Sequence, residues 1–480
     1  MISVRSHGAR RAAVTVLLLL TSAAAYASDK VQGVVEAVRP DGLLVDSSVV
    51  SLASGGRLRG DVDRLSAAHV GYWLEAKGRW QGRKGFVADS VEIRRQVPGA
   101  SYAEKIQETS LKESEKLDKS DKIYANPEVN AYVSRVGMSL VPAWAAKEFK
   151  FSFHVLEDPS LNAFALPSGA IYVHTGLLAK LDNEAQLATV LGHEITHVTE
   201  QHGQRQYKSM MAWAIPAQIG AIVVGTQVNR RTNNPVYAVM AGLGLSMGLS
   251  AAVNGYGRKL EDQADRVGLR YMAEAGYDPR EGPKVWDTFT AVYGDESKVE
   301  NFFWGNHSTN EERQKNLKEE IRRHYRTSEV PEAASAEPDP TPVPAQPIVR
   351  TAEYQDTMLD LIRQNAREDF DLKRYDLSGK GFDRVLSRKP DDAPSWHYKG
   401  RIALATVQDP AAARAKALED YQKAVTLDPN YPDVHRDLGL LYTDMGSRVE
   451  ARKELGRYLE LAPADAKDRK KVEKDLRKLD

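Results

Sequence analysis

The chain has 480 residues, 42% hydrophobic and 28% charged, with 66 basic and 66 acidic side chains. That length predicts two or three domains, and the zero net charge argues against nucleic acid or an anionic membrane as a bulk partner. Cysteine is absent, which excludes disulfides, a thiol nucleophile, thiolate-bound zinc and a lipid-modified N-terminal cysteine, so any metal must be held by His, Asp or Glu.

Residues 1–27 read as a signal peptide. Arg5, Arg10 and Arg11 precede a short apolar run, Ala12 to Leu20, and Ala25-Tyr26-Ala27 fits a small-x-small cleavage site. The mature chain is then expected to begin near Ser28 and to reside in the periplasm. Residues 28–98 predict a small all-β domain. Short β-branched runs such as Val31–Glu36 and Tyr72–Gly78 are separated by turn sequences at Arg39-Pro40-Asp41-Gly42 and Gln81–Gly85. A small barrel, of the oligomer-binding type, fits that pattern. It lacks the aromatic and basic platform that single-stranded nucleic acid requires.

Residues 100–328 form the predicted central domain. A charged helical segment at Tyr102–Ile123 is followed by an alternating strand, Phe149–Val155, and by a strand-turn-strand at Asn162–Val173. A helix is then predicted from Asn183 to His202, with Asn183 and Gln186 as a capping box and Gly203 as its stop. Leu187, Leu191, Ile195 and Val198 form its apolar stripe. On the flank of that stripe lies His193-Glu194-Ile195-Thr196-His197. Two imidazoles one turn apart can share a zinc ion, and Glu194 then stands where it can take a proton from water.

The third ligand has to come from elsewhere. The histidine spacing of the metzincins is excluded, because Glu200 and Gly203 stand where that class needs glycine and histidine. No Asp or Glu occurs between Gln201 and Leu260; the next acid is Glu261, with Asp265 one turn on. Glu261 is the predicted ligand, and Asp265 the acceptor that fixes a ligand imidazole.

Two apolar stretches, 210–225 and 236–253, flank a basic loop. They read either as a membrane hairpin or as helices that cover the active site or lie against a membrane. Each is shorter than the roughly 20 residues of a span, and Pro216 and several glycines interrupt them, which favours the second reading. Residues 329–350 carry six prolines and predict an extended linker. In 351–480, Leu427-Asp428-Pro429 recurs as Leu461-Ala462-Pro463, 34 positions later, and Gly400, Ala417, Gly439 and Ala451 fall at tetratricopeptide offsets. Such repeats stack as helix pairs whose concave face binds peptides or proteins.

Asn162-Ala163-Phe164-Ala165-Leu166-Pro167, Gly176-Leu177-Leu178, the His-Glu-x-x-His segment, Tyr256-Gly257-Arg258, Glu261-x-x-Ala264-Asp265 and Gly276-Tyr277-Asp278-Pro279 together resemble peptidase family forty-eight, the CAAX prenyl protease and HtpX-like group. The resemblance covers about residues 120–325. With a signal peptide before it and repeats after it, the chain is similar to the family's periplasmic BepA-like branch. The fold this implies is multidomain α+β: a β-barrel-like N-terminal domain, a mostly helical gluzincin-type protease with a small sheet, and helical repeats. The activity it implies is a zinc endopeptidase, one Zn2+ per chain, acting on unfolded or stalled envelope proteins. The repeats would engage clients or the outer-membrane assembly machinery, and 210–253 would give peripheral membrane contact. His307, followed by Arg313, matches the family's further histidine, with Ser308 where the family has proline. By resemblance His307 stabilises the transition state or closes a latent site. The alternative reading is a chaperone or adaptor with latent proteolysis.

Overall fold

The computed structural model describes residues 29–82, 85–206, 208, 256–293, 310–326 and 341–479. The signal peptide, the apolar stretches 210–253 and His307 lie outside the described residues. Among the described residues no helix is long and apolar enough to cross a membrane.

The first five strands are β1 (Asp29–Arg39), β2 (Gly42–Val45), β3 (Ser48–Gly60), β4 (Trp73–Gln81) and β5 (Gly85–Arg94). They close a barrel in the order β1-β2-β3-β5-β4. β1 pairs antiparallel with both β2 and β4, and β3 runs parallel to β5. Alternation sends Val31, Val35, Leu74, Ala76 and Phe86 into the interior. Asp46 and Ser47, both at positive φ, make the two-residue reversal between β2 and β3. Closure leaves no free edge to aggregate.

The central part opens with α1 (Ala103–Asp118) and α2 (Pro127–Leu140). Asn126 caps α2 by accepting from the Glu128 and Val129 amides, with Pro127 in the first turn. A three-stranded sheet follows in the order β6-β8-β7, from β6 (Ser152–Leu156), β7 (Ala163–Ala165) and β8 (Ala170–His174). β6 starts three residues later than its alternation suggests; Phe149 and Phe151 precede it, ring against ring at 6.0 Å. Then come α3 (Ala145–Glu148, ahead of the sheet), α4 (Thr175–Lys180), α5 (Glu184–Thr199), α6 (Arg258–Glu274), α7 (Gly282–Tyr293) and α8 (Asn310–His324).

The proline-rich segment is not a free tether over its described half. Thr341–Pro342 pairs in parallel with Tyr325–Arg326, and Ile348 exchanges backbone hydrogen bonds with Gly276 and Asp278. Composition forbids this segment a core of its own, yet its backbone can join one that exists. Helices Thr351–Thr357, Leu359–Asp371 and Tyr375–Arg388 continue the packing: Tyr354, Met358, Leu361, Ile362 and Val385 share one core with α2, α5 and α6.

The helix pairs Ala393–Thr406 with Pro410–Leu427 and Pro432–Asp444 with Arg448–Leu461 form the repeats, followed by Arg469–Arg477. Their glycines mark close approach. A Cβ on Gly400 would meet the Tyr421 ring at 2.5 Å, and one on Gly439 the Leu455 side chain at 2.7 Å.

Candidate metal centre

α5 carries the His-Glu-x-x-His segment and is buried at every residue but Thr189. Asn183 caps it, its Oδ1 accepting from the Gln186 amide at 2.9 Å, while Gln186 Oε1 accepts from the Asp182 amide at 2.8 Å. The capping box therefore closes one residue earlier than the expected pattern. Leu187, Leu191, Ile195 and Val198 enter the core. Polar groups on so buried a helix need partners, and Glu184 has three: Arg135, Tyr277 and Arg350.

The helix stops before Gly203. Its C-cap is Glu200, and Gln201 turns the chain at φ 52°; Gly203 sits within the next helical turn, against Pro167. That reversal brings His202 back over the site.

α5 and α6 cross at two glycines. A Cβ on Gly268 would lie 2.6 Å from the Gly192 carbon and from the His193 nitrogen. This contact sets Glu261 and Asp265 of α6 opposite the two histidines of α5. His193 Nε2 and His197 Nε2 are 3.0 Å apart, and the Glu261 carboxylate lies 3.3 Å from the first and 3.7 Å from the second. One ligand atom from each of these residues falls within 4.8 Å of the others. Two imidazoles and a carboxylate, all buried, are a donor set that could hold a metal ion such as zinc.

The outward ring nitrogens are also engaged. Asp265 Oδ1 lies 2.9 Å from His193 Nδ1. Arg313 grips the same carboxylate twice, at 2.6 and 2.9 Å, and its guanidinium stacks 3.7 Å above the Trp286 ring. Burial pushes Asp265 up, but Arg313 and His193 outweigh it, and its pKa falls below the ordinary value. Burial likewise disfavours charge on His193, yet Asp265 and Glu261 carry its pKa up to about 9. A metal held on His193 would displace a proton from it. On His197, Nδ1 meets His202 Nδ1 at 2.7 Å, and the Tyr256 ring stacks at 4.1 Å.

Glu194 lies beside this group. Its carboxyl is buried, which raises its pKa to about 8 against the pull of His193, and the Ala165 amide of β7 donates to it. β7 is the edge of its sheet and packs on α5. Of the six predicted site residues, the structure brings His193, Glu194, His197, Glu261 and Asp265 together; His307 lies outside the described residues. Sequence reasoning missed His202, Gln263 and Arg205, whose roles depend on the turn at Gln201 and on contact with the barrel. A third histidine five positions after His197 was the available signal.

Residues 127–321 match the model of peptidase family M48, and residues 415–446 that of a TPR repeat. The chain is 29% identical over 185 residues to the putative beta-barrel assembly-enhancing protease of Vibrio cholerae, covering 38% of this chain and 37% of that one. It is 29% identical over 158 residues to the beta-barrel assembly-enhancing protease of Escherichia coli K12, covering 33% and 32%. It is 29% identical over 168 residues to the mitochondrial metalloendopeptidase OMA1 of Schizosaccharomyces pombe, covering 35% and 46%. The alignments thus span about a third of the two assembly-enhancing proteases and under half of the third. The barrel lies outside the family match.

Proposed function

We propose that the peptidase M48 domain carried by residues 127–321 makes this chain a zinc-dependent endopeptidase of the bacterial cell envelope. It hydrolyses unfolded or misassembled periplasmic and outer-membrane proteins, and its helical repeats hold clients or an assembly partner. The observation that carries this reading is the convergence of His193, His197 and Glu261 with Glu194 beside them.

His193, His197 and Glu261 would hold the zinc ion, which would supply Lewis acidity at the scissile carbonyl and toward the attacking water. Glu194 takes the water's proton and returns it to the leaving amine; its elevated pKa suits a group that must both accept and donate. Asp265 keeps the His193 proton on Nδ1, leaving Nε2 for the metal, and Arg313 keeps Asp265 charged. An extended substrate would pair with the edge of β7 through backbone hydrogen bonds, a mode that reads main chain more than side chain. Loose sequence specificity follows, with accessibility of an unfolded segment as the filter.

The envelope assignment draws on the signal-like N-terminus and on the named function of the assembly-enhancing relatives. The test is zinc content and casein degradation for the wild type and Glu194→Gln. Zinc in both, with cleavage only in the wild type, is expected. Cleavage by Glu194→Gln would refute the general-base role, and absence of zinc from both would refute the metal site. Rescue of an envelope-assembly defect by Glu194→Gln would move the function toward an adaptor.

A further inference from the structure

The barrel sits directly behind the metal site. Its β1 strand meets the ends of α5 and α6 through a buried polar network. Gln263, two residues after the predicted ligand Glu261, donates from Nε2 to the Gln32 carbonyl of β1 at 3.1 Å and to Glu200 at 3.2 Å. The Val34 amide of β1 donates to the same Glu200 oxygen at 3.0 Å. Gln263 Oε1 accepts from Arg205 at 2.8 Å and lies 3.2 Å from His202 Nε2. Arg205 stacks over Trp73 of β4 at 4.6 Å. Glu200 and His202 have no exposed surface, and Gln263 has 2%. The backbones come this close because β1 has glycine at position 33, where a Cβ would meet Gln263 Nε2 at 2.9 Å and Glu200 Oε2 at 3.1 Å.

We infer that the barrel is a positioning module for the metal site, acting on His197 through Gln263 and His202. This rests on the zinc reading above. His197 can offer Nε2 to a metal only if its proton is on Nδ1. That proton then points at His202 Nδ1, 2.7 Å away, which must carry a lone pair. His202 is thereby protonated on Nε2 and needs an acceptor, which Gln263 Oε1 supplies. A flipped Gln263 amide would face the His202 N–H with its own NH2 group, donor against donor. The Gln32 carbonyl and the barrel-held Glu200 carboxylate require the NH2 on their side, and Arg205 requires the oxygen on the other. The amide orientation sets the His202 tautomer, which sets that of His197. Gln263 and His202 are positioning residues, and the docked barrel is what aligns them.

Four full-length variants test this by chelator competition for zinc and by the visible spectrum of the cobalt(II)-loaded protein. Gly33→Val wedges the barrel away without altering the protease. Gln263→Met and His202→Phe remove the amide and the acceptor while filling the space, and His202→Gln restores an acceptor toward His197. The first three are expected to weaken zinc binding about 10–100-fold and to shift the cobalt bands. His202→Gln is expected to stay within a few-fold of wild type. Urea unfolding of each protein separates misfolding from a local effect, and His202→Phe and Gln263→Met decide the matter if Gly33→Val does not fold. Wild-type zinc affinity and unchanged cobalt spectra in the folded variants would overturn the inference while leaving the peptidase reading intact. A wild-type chain that binds no zinc would remove the metal reading, and this inference with it.

Discussion

Gly268→Ala adds one methyl group where α6 crosses α5. The new Cβ would lie 2.6 Å from the Gly192 carbon and the His193 nitrogen. Both are backbone atoms of a buried helix, so no side-chain rotation relieves the contact. Reaching ordinary contact at 3.4 Å requires the helices to part by about 0.8 Å. Overpacking of this kind costs about 1–3 kcal/mol, and the gain in helix propensity from Gly to Ala returns about 1 kcal/mol. A net loss of about 1 kcal/mol is expected. The effect on the metal should be larger than that suggests. α5 brings two of the proposed ligands and α6 the third, and metal–ligand distances tolerate only about 0.2 Å. Zinc affinity should therefore fall at least about tenfold while the fold survives. Chelator competition and urea unfolding measure the two quantities. Gly456→Ala is the control, since its Cβ would meet nothing within 4 Å, and it should be stabilising by about 0.5–1 kcal/mol. A Gly268→Ala protein that holds zinc like the wild type and is as stable as the control would refute the idea that this crossing sets the ligand geometry.

Asp265→Asn should weaken zinc binding about 10–100-fold by releasing His193. It should also destabilise the zinc-free chain by about 3 kcal/mol, because buried Arg313 loses its bidentate carboxylate, and among the described residues Glu261, 3.6 Å away, is the other one beside it. Adding Arg313→Met should restore stability in urea but not zinc affinity; recovery of both would show that Asp265 serves packing alone. In the repeats, Asp437 accepts from His397 at 2.8 Å and Arg436 at 2.7 Å. Burial pushes its pKa up, but His397 and Arg436 outweigh that and hold it at about 2. A depressed carboxylate contributes stability above its unfolded pKa, near 3.8, and loses it as pH falls through about 2. Asp437→Asn should therefore lower stability by roughly 2 kcal/mol at neutral pH, and the gap from wild type should close between pH 4 and 2. A gap independent of pH in urea titrations would contradict the linkage.

Helix α5 was legible because three local signals agree on it: the apolar stripe from Leu187 to Val198, the Asn183 cap and two histidines four residues apart. Glu261 could be named as the candidate third ligand by elimination, as the next acid after a long stretch without one, and it lies with the two histidines. The succession of barrel, mostly helical middle and helical repeats was readable from alternation, motif and period. What was not readable depends on contacts far apart in sequence or on a single backbone angle. The stop of α5 was placed at Gly203 because glycine is the usual left-handed residue, yet Gln201 takes that conformation. With the turn misplaced, His202 had no visible target. Gln32 and Gln263 are 231 positions apart, and neither residue type announces a partner. The prolines predict an extended linker over 329–350 but are silent on whether its backbone docks, which Ile348 does.

The boundary near residue 328, natural to draw from composition, is not a physical one. Tyr354, Met358, Leu361, Ile362 and Val385 lie beyond it and are each no more than 2% exposed in the core that also holds α5 and α6. Five such side chains at about 2 kcal/mol apiece represent on the order of 10 kcal/mol, as much as the whole net stability of an ordinary domain. The polar contacts run the same way. At its N-terminus α5 has Glu184, which accepts from Arg350 beyond the boundary and from Tyr277 and Arg135 before it. At its C-terminus Glu200 accepts from the barrel through Val34. The helix that carries the predicted ligands is therefore anchored at one end by the segment leading into the repeats and at the other by the β domain. A histidine pair on a helix held at both ends cannot reorient without disturbing one anchor or the other.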